Sequence, residues 1–382
     1  MKINVLGVAT TEFGELWDKS PRVLARQAVK EALEDSKMDI SQIDALYVGN
    51  MLAGILGNQA NLGALFAEEL GLSVPAVRVE GACASGGLAL NSAINSILSG
   101  QYENVLVLGV EKMTDSSQDD VTTGLMAAGS DDERMAGATF PGIYALIAQA
   151  YMDKYGVSEE NLAAVSVKNH YHGSLNDKAQ FRKAITVADV MKSGRIADPL
   201  KLLDCSPISD GASAIIISKN KPKKGKLVTI LASEVASDTL SLHDRKSFVS
   251  LDSVVRSSTN AYKSAGIKPK DIDVAEIHDC FSIAEAIAVE DLGFSERGKG
   301  AIDIENGLMT IGKGEIITNP SGGLKACGHP VGATGIKQIV EITTQLRNAA
   351  GDRQVKGAKI GLTHNVGGSG AVSVIHILTN DI

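Results

Sequence analysis

An internal echo is the feature that most limits how this chain can fold. Ala32-Leu-Glu-Asp-Ser-Lys-Met-Asp-Ile-Ser-Gln-Ile-Asp44 returns in the second half as Ala261-Tyr-Lys-Ser-Ala-Gly-Ile-Lys-Pro-Lys-Asp-Ile-Asp273. Each copy runs from a helical pattern through a polar turn into a β-prone stretch. A second echo pairs Cys83-Ala-Ser-Gly-Gly-Leu-Ala with His329-Pro-Val-Gly-Ala-Thr-Gly, and both copies feed an amphipathic helix. A chain that repeats such a unit is expected to pack two copies of one α/β fold. Packing about a pseudo-twofold axis would bring equivalent loops together, so Cys83 of one half and His329 of the other are expected to face a common pocket.

The elements between the echoes support an α/β reading. Strand-like runs are expected at 3–9, at 44–50, at 76–79 after Pro75, and over Asn104 to Val110, whose almost wholly apolar character suits a strand covered on both faces. Helices are expected from Pro21, with Val23, Leu24, Ala28, Ala32 and Leu33 on one face, from about 61 to 70, and from Cys83 to near Gly100. The strand rhythm stops at about Thr114. Polar segments and helical pieces at 142–155 and 159–172 read as an inserted excursion that covers the mouth of a site. Ala212 to Ser218 resumes the sheet, and the Pro/Lys/Gly stretch at 221–226 reads as the join between halves. The expected organisation is an N-terminal half over 1–113 plus 205–225, an inserted loop domain over 114–204, and a C-terminal half over 226–382.

Composition narrows the function classes. The 382 residues carry a formal charge of −8, which argues against a general nucleic-acid or anionic-membrane surface. Local basic patches at Lys221, Lys223, Lys224 and Lys226, and at Arg182, Lys183 and Arg195, leave room for an anionic ligand. Thirty-nine glycines with only 4% aromatics point to close backbone packing and tight turns. Cys83, Cys205, Cys280 and Cys327 are widely spaced and form no CxxC pair, which disfavours a zinc ribbon or a disulfide framework. No run approaches membrane-spanning length, and the N-terminus enters a strand pattern directly, so a cytoplasmic protein with reduced thiols is expected.

Reactive groups concentrate in four short segments at strand ends or helix starts. They are Cys83 among small residues, His278-Asp279-Cys280-Phe281, Cys327-Gly328-His329-Pro330, and His364-Asn365-Val366-Gly367-Gly368-Ser369-Gly370. A thiol at a strand-to-helix junction meets free N–H groups and a helix field, which favour thiolate. A nucleophilic cysteine needs a base, and the ordinary imidazole pKa of about 6.5 suits that task. Neighbouring glycines let a substrate approach the backbone and free N–H donors for an oxyanion. Together the segments read as machinery for acyl transfer. Cys205 reads as packing, and His170, His172, His243 and His376, which lack such a setting, read as surface or structural residues.

In combination these motifs resemble the thiolase superfamily over essentially the full length, and within it the archaeal acetoacetyl-CoA thiolases and the sterol-carrier-protein-type thiolases. The resemblance implies duplicated halves of βαβαβαββ type, a five-layered αβαβα arrangement and an inserted loop domain. It implies an acetyl-CoA C-acetyltransferase in which Cys83 is acylated, His329 takes its proton, and His278 and His329 hold the thioester oxygen as enolate charge develops. The N–H groups of Cys83 and Gly367 would hold the acyl oxygen, with His364 and Asn365 supporting the site. Better-known thiolases carry Asn-Glu-Ala-Phe and a terminal Cys-x-Gly-x-Gly; here His278-Asp279-Cys280-Phe281 and Asn365 stand at those places. The acid/base thiol is therefore expected at Cys280, with Cys327 as the competing candidate.

CoA and acetyl-CoA are expected as product and substrate, with no tightly bound cofactor and no metal. The substrate-contacting residues are expected within 114–204. The resemblance further implies a homodimer or dimer of dimers, and a complex with 3-hydroxy-3-methylglutaryl-CoA synthase through a zinc-ribbon/OB-fold bridging protein in the mevalonate route. Two other functions fit the same residues. A decarboxylating ketoacyl synthase also uses a Cys-His-His set, and an acyl-CoA-binding scaffold would keep the pocket with little turnover.

Overall fold

The computed structural model describes residues 2–222 and 225–381; Lys223 and Lys224 of the basic patch and of the join at 221–226 lie outside the described residues. Twelve strands are present among them: β1 (Ile3–Thr10), β2 (Ala45–Gly49), β3 (Ala76–Val79), β4 (Asn104–Glu111), β5 (Arg195–Ala197), β6 (Leu200–Lys201), β7 (Gly211–Ser218), β8 (Thr229–Ser237), β9 (Val274–Ile277), β10 (Ile317–Thr318), β11 (Ile360–Gly367) and β12 (Val372–Thr379). β5 and β6 form a small hairpin, and the other ten make one sheet in the order β10-β9-β11-β12-β8-β1-β7-β4-β2-β3.

That order is the same five-strand pattern written twice. In the first half β2 lies parallel to β3 and β4, β4 runs antiparallel to β7, and β7 antiparallel to β1. In the second half β9 lies parallel to β10 and β11, β11 runs antiparallel to β12, and β12 antiparallel to β8. The halves meet where β1 pairs with β8 through Ile3 with Ile230 and Asn4 with Thr229.

The sequence echo has a local cause. Helix Pro21–Ser36 ends on Lys37 and helix Asp252–Ala265 ends on Gly266, both with positive φ, and a 3-10 turn then delivers each chain to its strand. Asp44 accepts hydrogen bonds from the N–H groups of Glu103 and Asn104, at 3.0 and 2.8 Å. Asp273 accepts from Lys359 and Ile360, at 2.7 and 2.9 Å. The same carboxylate therefore fixes the start of the neighbouring parallel strand in both halves.

Helices Ser85–Leu98 and Val331–Leu346 pack against each other and against strands of both halves, while Pro21–Ser36 covers β1 and β7 and Asp252–Ala265 covers β8 and β12. The result is the five-layered αβαβα arrangement. Val331–Leu346 is buried along its whole length except at Thr344, the mark of an interior helix. Two of its buried polar members are paired across the core: Lys337 Nζ reaches Glu276 at 2.8 Å, and Gln338 donates to the His364 carbonyl at 2.9 Å.

Between β4 and β7 lie helices Gln118–Leu125, Asp131–Met135, Phe140–Tyr155, Glu159–Gly173 and Val187–Lys192. Each opens on a Ser or Thr whose side chain accepts from the first turn: Ser117, Ser130, Thr139, Ser158 and Thr186. Helix Glu159–Gly173 packs on helices Ser282–Asp291 and Gly323–Cys327, so this excursion supports the second half from beneath. Among the described residues no helix is long and apolar enough to cross a membrane.

Candidate active site

Cys83 sits in a 3-10 turn, Ala82–Ala84, between β3 and helix Ser85–Leu98. Ala82 holds φ 53°, a left-handed conformation that costs a non-glycine residue about 1 kcal/mol or more. Local hydrogen bonds impose it. Glu80 accepts from the Ala82 N–H at 2.6 Å, while the Ser85 hydroxyl accepts from Gly81 at 3.0 Å and donates to the Ala82 carbonyl at 2.6 Å. From β11, Asn365 Nδ2 donates to the Cys83 carbonyl at 2.9 Å and Asn365 Oδ1 accepts from the Gly87 N–H at 3.2 Å.

The two central helices cross at glycine. A Cβ on Gly86 would lie 2.8 Å from the Gly332 carbonyl oxygen, and one on Gly335 would lie 2.3 Å from both the Gly87 nitrogen and Asn365 Oδ1. Backbone contact at this crossing brings the N-terminal ends of the helices together, and with them Cys83 and His329. The Cys83 sulfur and one ring nitrogen each of His278 and His329 lie within 4.8 Å of one another. The imidazole rings stand edge to face, with centroids 5.1 Å apart.

Hydrogen bonds assign these two rings opposite roles. The Thr334 hydroxyl is placed to give its proton to the Pro330 carbonyl at 3.1 Å, and with that assignment its oxygen accepts from His329 Nδ1–H at 2.8 Å. His329 Nε2 is then a free lone pair. Asn365 Nδ2 instead donates toward His278 Nδ1 at 3.4 Å, which puts the His278 proton on Nε2. One ring is ready to take a proton and the other to donate a hydrogen bond. His364 Nδ1 accepts from the His278 backbone N–H at 3.4 Å, and Ser209 Oγ accepts from the His329 N–H at 2.9 Å.

Burial dominates the electrostatics. It holds His329 and His364 down at about 3 and His278 well below the usual imidazole range, aided for His278 by the neighbouring rings. It also pushes the Cys83 thiol up, with the Cys280 and Glu111 charges adding to the effect, against the pull of the Gly368 and Cys83 N–H groups. This corrects the expectation that the junction favours thiolate: desolvation and two nearby acids outweigh the helix start. The resting pair is a neutral thiol beside a neutral imidazole. The backbone donors on the sulfur are those of Gly368 and Cys83 itself; Gly367 packs so tightly on Gly81 that an added Cβ would lie 2.3 Å from its carbonyl oxygen.

The remaining thiols differ in surroundings. Cys280 is buried with Tyr144 and Phe281, close enough for its charge to act on Cys83, and burial pushes its pKa up to about 12. Cys327 packs instead with Phe13, Ala179 and Ala333, and faces Lys337, Glu276 and Glu341. Cys205 is half-buried and donates to the Lys201 carbonyl. His170, His172 and His376 are buried, whereas His243 is 64% exposed. The Cys83-His278-His329 trio also has the donor types of a zinc site, with one donor atom of each within 4.8 Å of the others.

Asp279 ties the two histidine segments together. It accepts from Leu324 N–H at 2.6 Å and Lys325 N–H at 3.2 Å, at the start of the short helix leading to His329, and from Asn169 Nδ2 at 2.6 Å. The sequence reading passed over Thr334, Asn169, Glu111 and Tyr144. Of these, Thr334 carried a usable signal, being a hydroxyl within two helical turns of His329.

The chain matches the thiolase N-terminal domain over residues 3–221 and the thiolase C-terminal domain over residues 234–380. It is 49% identical to an acetyl-CoA acetyltransferase of Methanothermobacter thermautotrophicus and 44% identical to one of Methanocaldococcus jannaschii, with 99% of both chains covered in each comparison. A solved structure described as an Ltp2-ChsH2(DUF35) aldolase superposes with a TM-score of 0.86 at 23% identity, covering 100% of this chain and 98% of that one. With the duplicated sheet and the Cys-His-His geometry already in place, these matches make the chain a member of the thiolase family.

Proposed function

We propose that the protein is an acetyl-CoA C-acetyltransferase that condenses two acetyl-CoA into acetoacetyl-CoA and CoA, reversibly, through an acyl-Cys83 intermediate. The observation that carries this reading is the pair of buried histidines, each with a ring nitrogen within 4.8 Å of the Cys83 sulfur, whose hydrogen-bond partners favour protons on opposite nitrogens. His329 Nε2 takes the Cys83 proton as sulfur attacks the thioester and passes it to the departing CoA sulfur. The N–H groups of Cys83 and Gly368, which reach the sulfur, are the donors for the acyl oxygen as it develops charge, in place of the Gly367 N–H expected from the sequence.

In the second half-reaction His329, neutral again, takes the Cys280 thiol proton, directly or through a water. The Cys280 thiolate then removes a proton from the methyl carbon of a second acetyl-CoA. The electron pair moves onto the thioester oxygen, where His278 Nε2–H and the now protonated His329 hold it. The carbanion attacks acyl-Cys83, and His329 returns its proton to the released sulfur. Cys280 is favoured over Cys327 because its charge reaches Cys83, whereas Cys327 faces the Lys337 and Glu341 cluster.

The open edge of the sheet supports a homodimer. β3 pairs on one side with β2 alone and leaves Val77 46% exposed, so a second copy adding there would continue the sheet. Likeness to the archaeal enzymes supports a cytoplasmic role that feeds 3-hydroxy-3-methylglutaryl-CoA synthase in the mevalonate route through a bridging protein. The half-reactions test the assignment. Cys280→Ala is expected to retain exchange of labelled CoA into acetyl-CoA and to lose condensation. Retained condensation would move the base to another residue, and activity with malonyl-thioesters alone would indicate a decarboxylating synthase.

A further inference from the structure

Tyr144 lies on helix Phe140–Tyr155 of the excursion, outside every motif noted in the sequence, yet its side chain packs in the same buried cluster as Cys280 and Phe281. The residue is 2% exposed. Its ring stacks on Phe281, the neighbour of Cys280, with centroids 4.5 Å apart and planes inclined at 28°. The hydroxyl oxygen lies 3.4 Å from the Gly368 carbonyl, and the phenol stands close enough to Cys280 to pull the pKa of that thiol down against the effect of burial. The N–H of that same Gly368 touches the Cys83 sulfur. Behind the hydroxyl stands Arg245, 8% exposed, which donates to the Ser369 carbonyl and hydroxyl and makes no ion pair among the described residues.

A phenol has one proton and two acceptor lone pairs. While Cys280 is a neutral thiol, Tyr144 points its proton at the Gly368 carbonyl and accepts from the thiol. Once Cys280 is a thiolate, the negative sulfur is the stronger acceptor, and rotation about the C–O bond alone brings the phenolic proton to it. Tyr144 keeps its proton throughout, because burial and the two thiols hold its pKa well above the usual range. The Arg245 charge, which also feels Asp238 and Glu133, acts on the Tyr144 phenol and pulls its pKa down against the effect of burial.

We propose that Tyr144 is a positioning residue for carbanion formation, its hydroxyl holding and stabilising the Cys280 thiolate while the Phe281 stack fixes the direction of the sulfur. The step it serves is the transfer of the methyl proton: the C–H bond breaks, the S–H bond of Cys280 forms, and the electron pair moves to the thioester oxygen. This rests on the reading of Cys280 as the base.

Tyr144→Phe removes the hydroxyl and keeps the stack. The expected result is an acylation half-reaction, read as exchange of labelled CoA into acetyl-CoA, within about twofold of wild type, beside a fall of about ten- to a hundred-fold in deuterium uptake at the acetyl-CoA methyl group and in condensation. The pH profile for alkylation of Cys280, followed by peptide mass, is expected to move upward. Equal falls in both half-reactions, or no fall in either, would overturn the proposal. Cys280→Ala run in parallel separates the two claims. Methyl exchange that survives in that variant defeats the base assignment, and exchange lost there but untouched in Tyr144→Phe defeats only the role of Tyr144.

Discussion

Gly335→Ala puts the architecture under a direct test. The new Cβ would stand 2.3 Å from the Gly87 nitrogen and from Asn365 Oδ1, neither of which is the free end of a flexible chain. Ordinary contact requires the helices to part by about 1 Å. Overpacking of that size costs about 1–3 kcal/mol of stability. The same displacement separates the Cys83 turn from His329 and pulls on the amide that holds the Cys83 carbonyl. A misplacement of about 1 Å costs about a hundredfold in rate, equivalent to about 2.7 kcal/mol of barrier. Rapid-quench formation of acetyl-enzyme measures the rate, and thermal melting measures the stability. Gly194→Ala is the control, since an added Cβ there meets nothing within 4 Å. Gly335→Ala acylating at the wild-type rate with an unchanged melting temperature would refute the claim that the glycine crossing sets the distance between thiol and base.

Thr334→Val keeps the shape but removes the acceptor for His329 Nδ1–H, so acylation is expected to fall at least about tenfold with little change in KM, measured by steady-state thiolysis. Asn365→Ala frees both the Cys83 carbonyl and His278 Nδ1, and is expected to slow acylation and methyl exchange together, in contrast to Tyr144→Phe. His376 is buried at 1% exposure, and burial lowers its pKa to about 4. The unfolded chain takes up that proton at about pH 6.5, so the stability linked to His376 is whole above that pH and drains away as pH falls toward 4. His376→Met should therefore gain about 3 kcal/mol relative to wild type between pH 7 and pH 4, as read by denaturant unfolding at each pH.

The sheet was legible because its central strands, such as Asn104–Glu111 and Gly211–Ser218, are largely buried apolar runs, and because the echo at Asp44 and Asp273 marks the same hydrogen-bonding task in both halves. Cys83 and His329 were legible for a related reason, since glycines beside them mark where backbone must come close to backbone or substrate, while His278 was legible as the end of a β-prone run next to Cys280. Tyr144 and Arg245 left no such trace. They reach the site from elements far away in sequence, through packing that no local pattern records. The charge state of Cys83 was misread because helix position is a local property and desolvation a global one. Ala82 escaped for a comparable reason, since its positive φ is imposed by hydrogen bonds from Glu80 and Ser85 and not by its own preference.

Intact-mass analysis with peptide mapping after brief exposure to acetyl-CoA tests the central claim most directly. One acetyl group should appear on Cys83 in the wild type and in Cys280→Ala, and none should appear in Cys83→Ala. An acetyl label that persists without Cys83, or that maps to Cys280 or Cys327 in the wild type, would contradict the account.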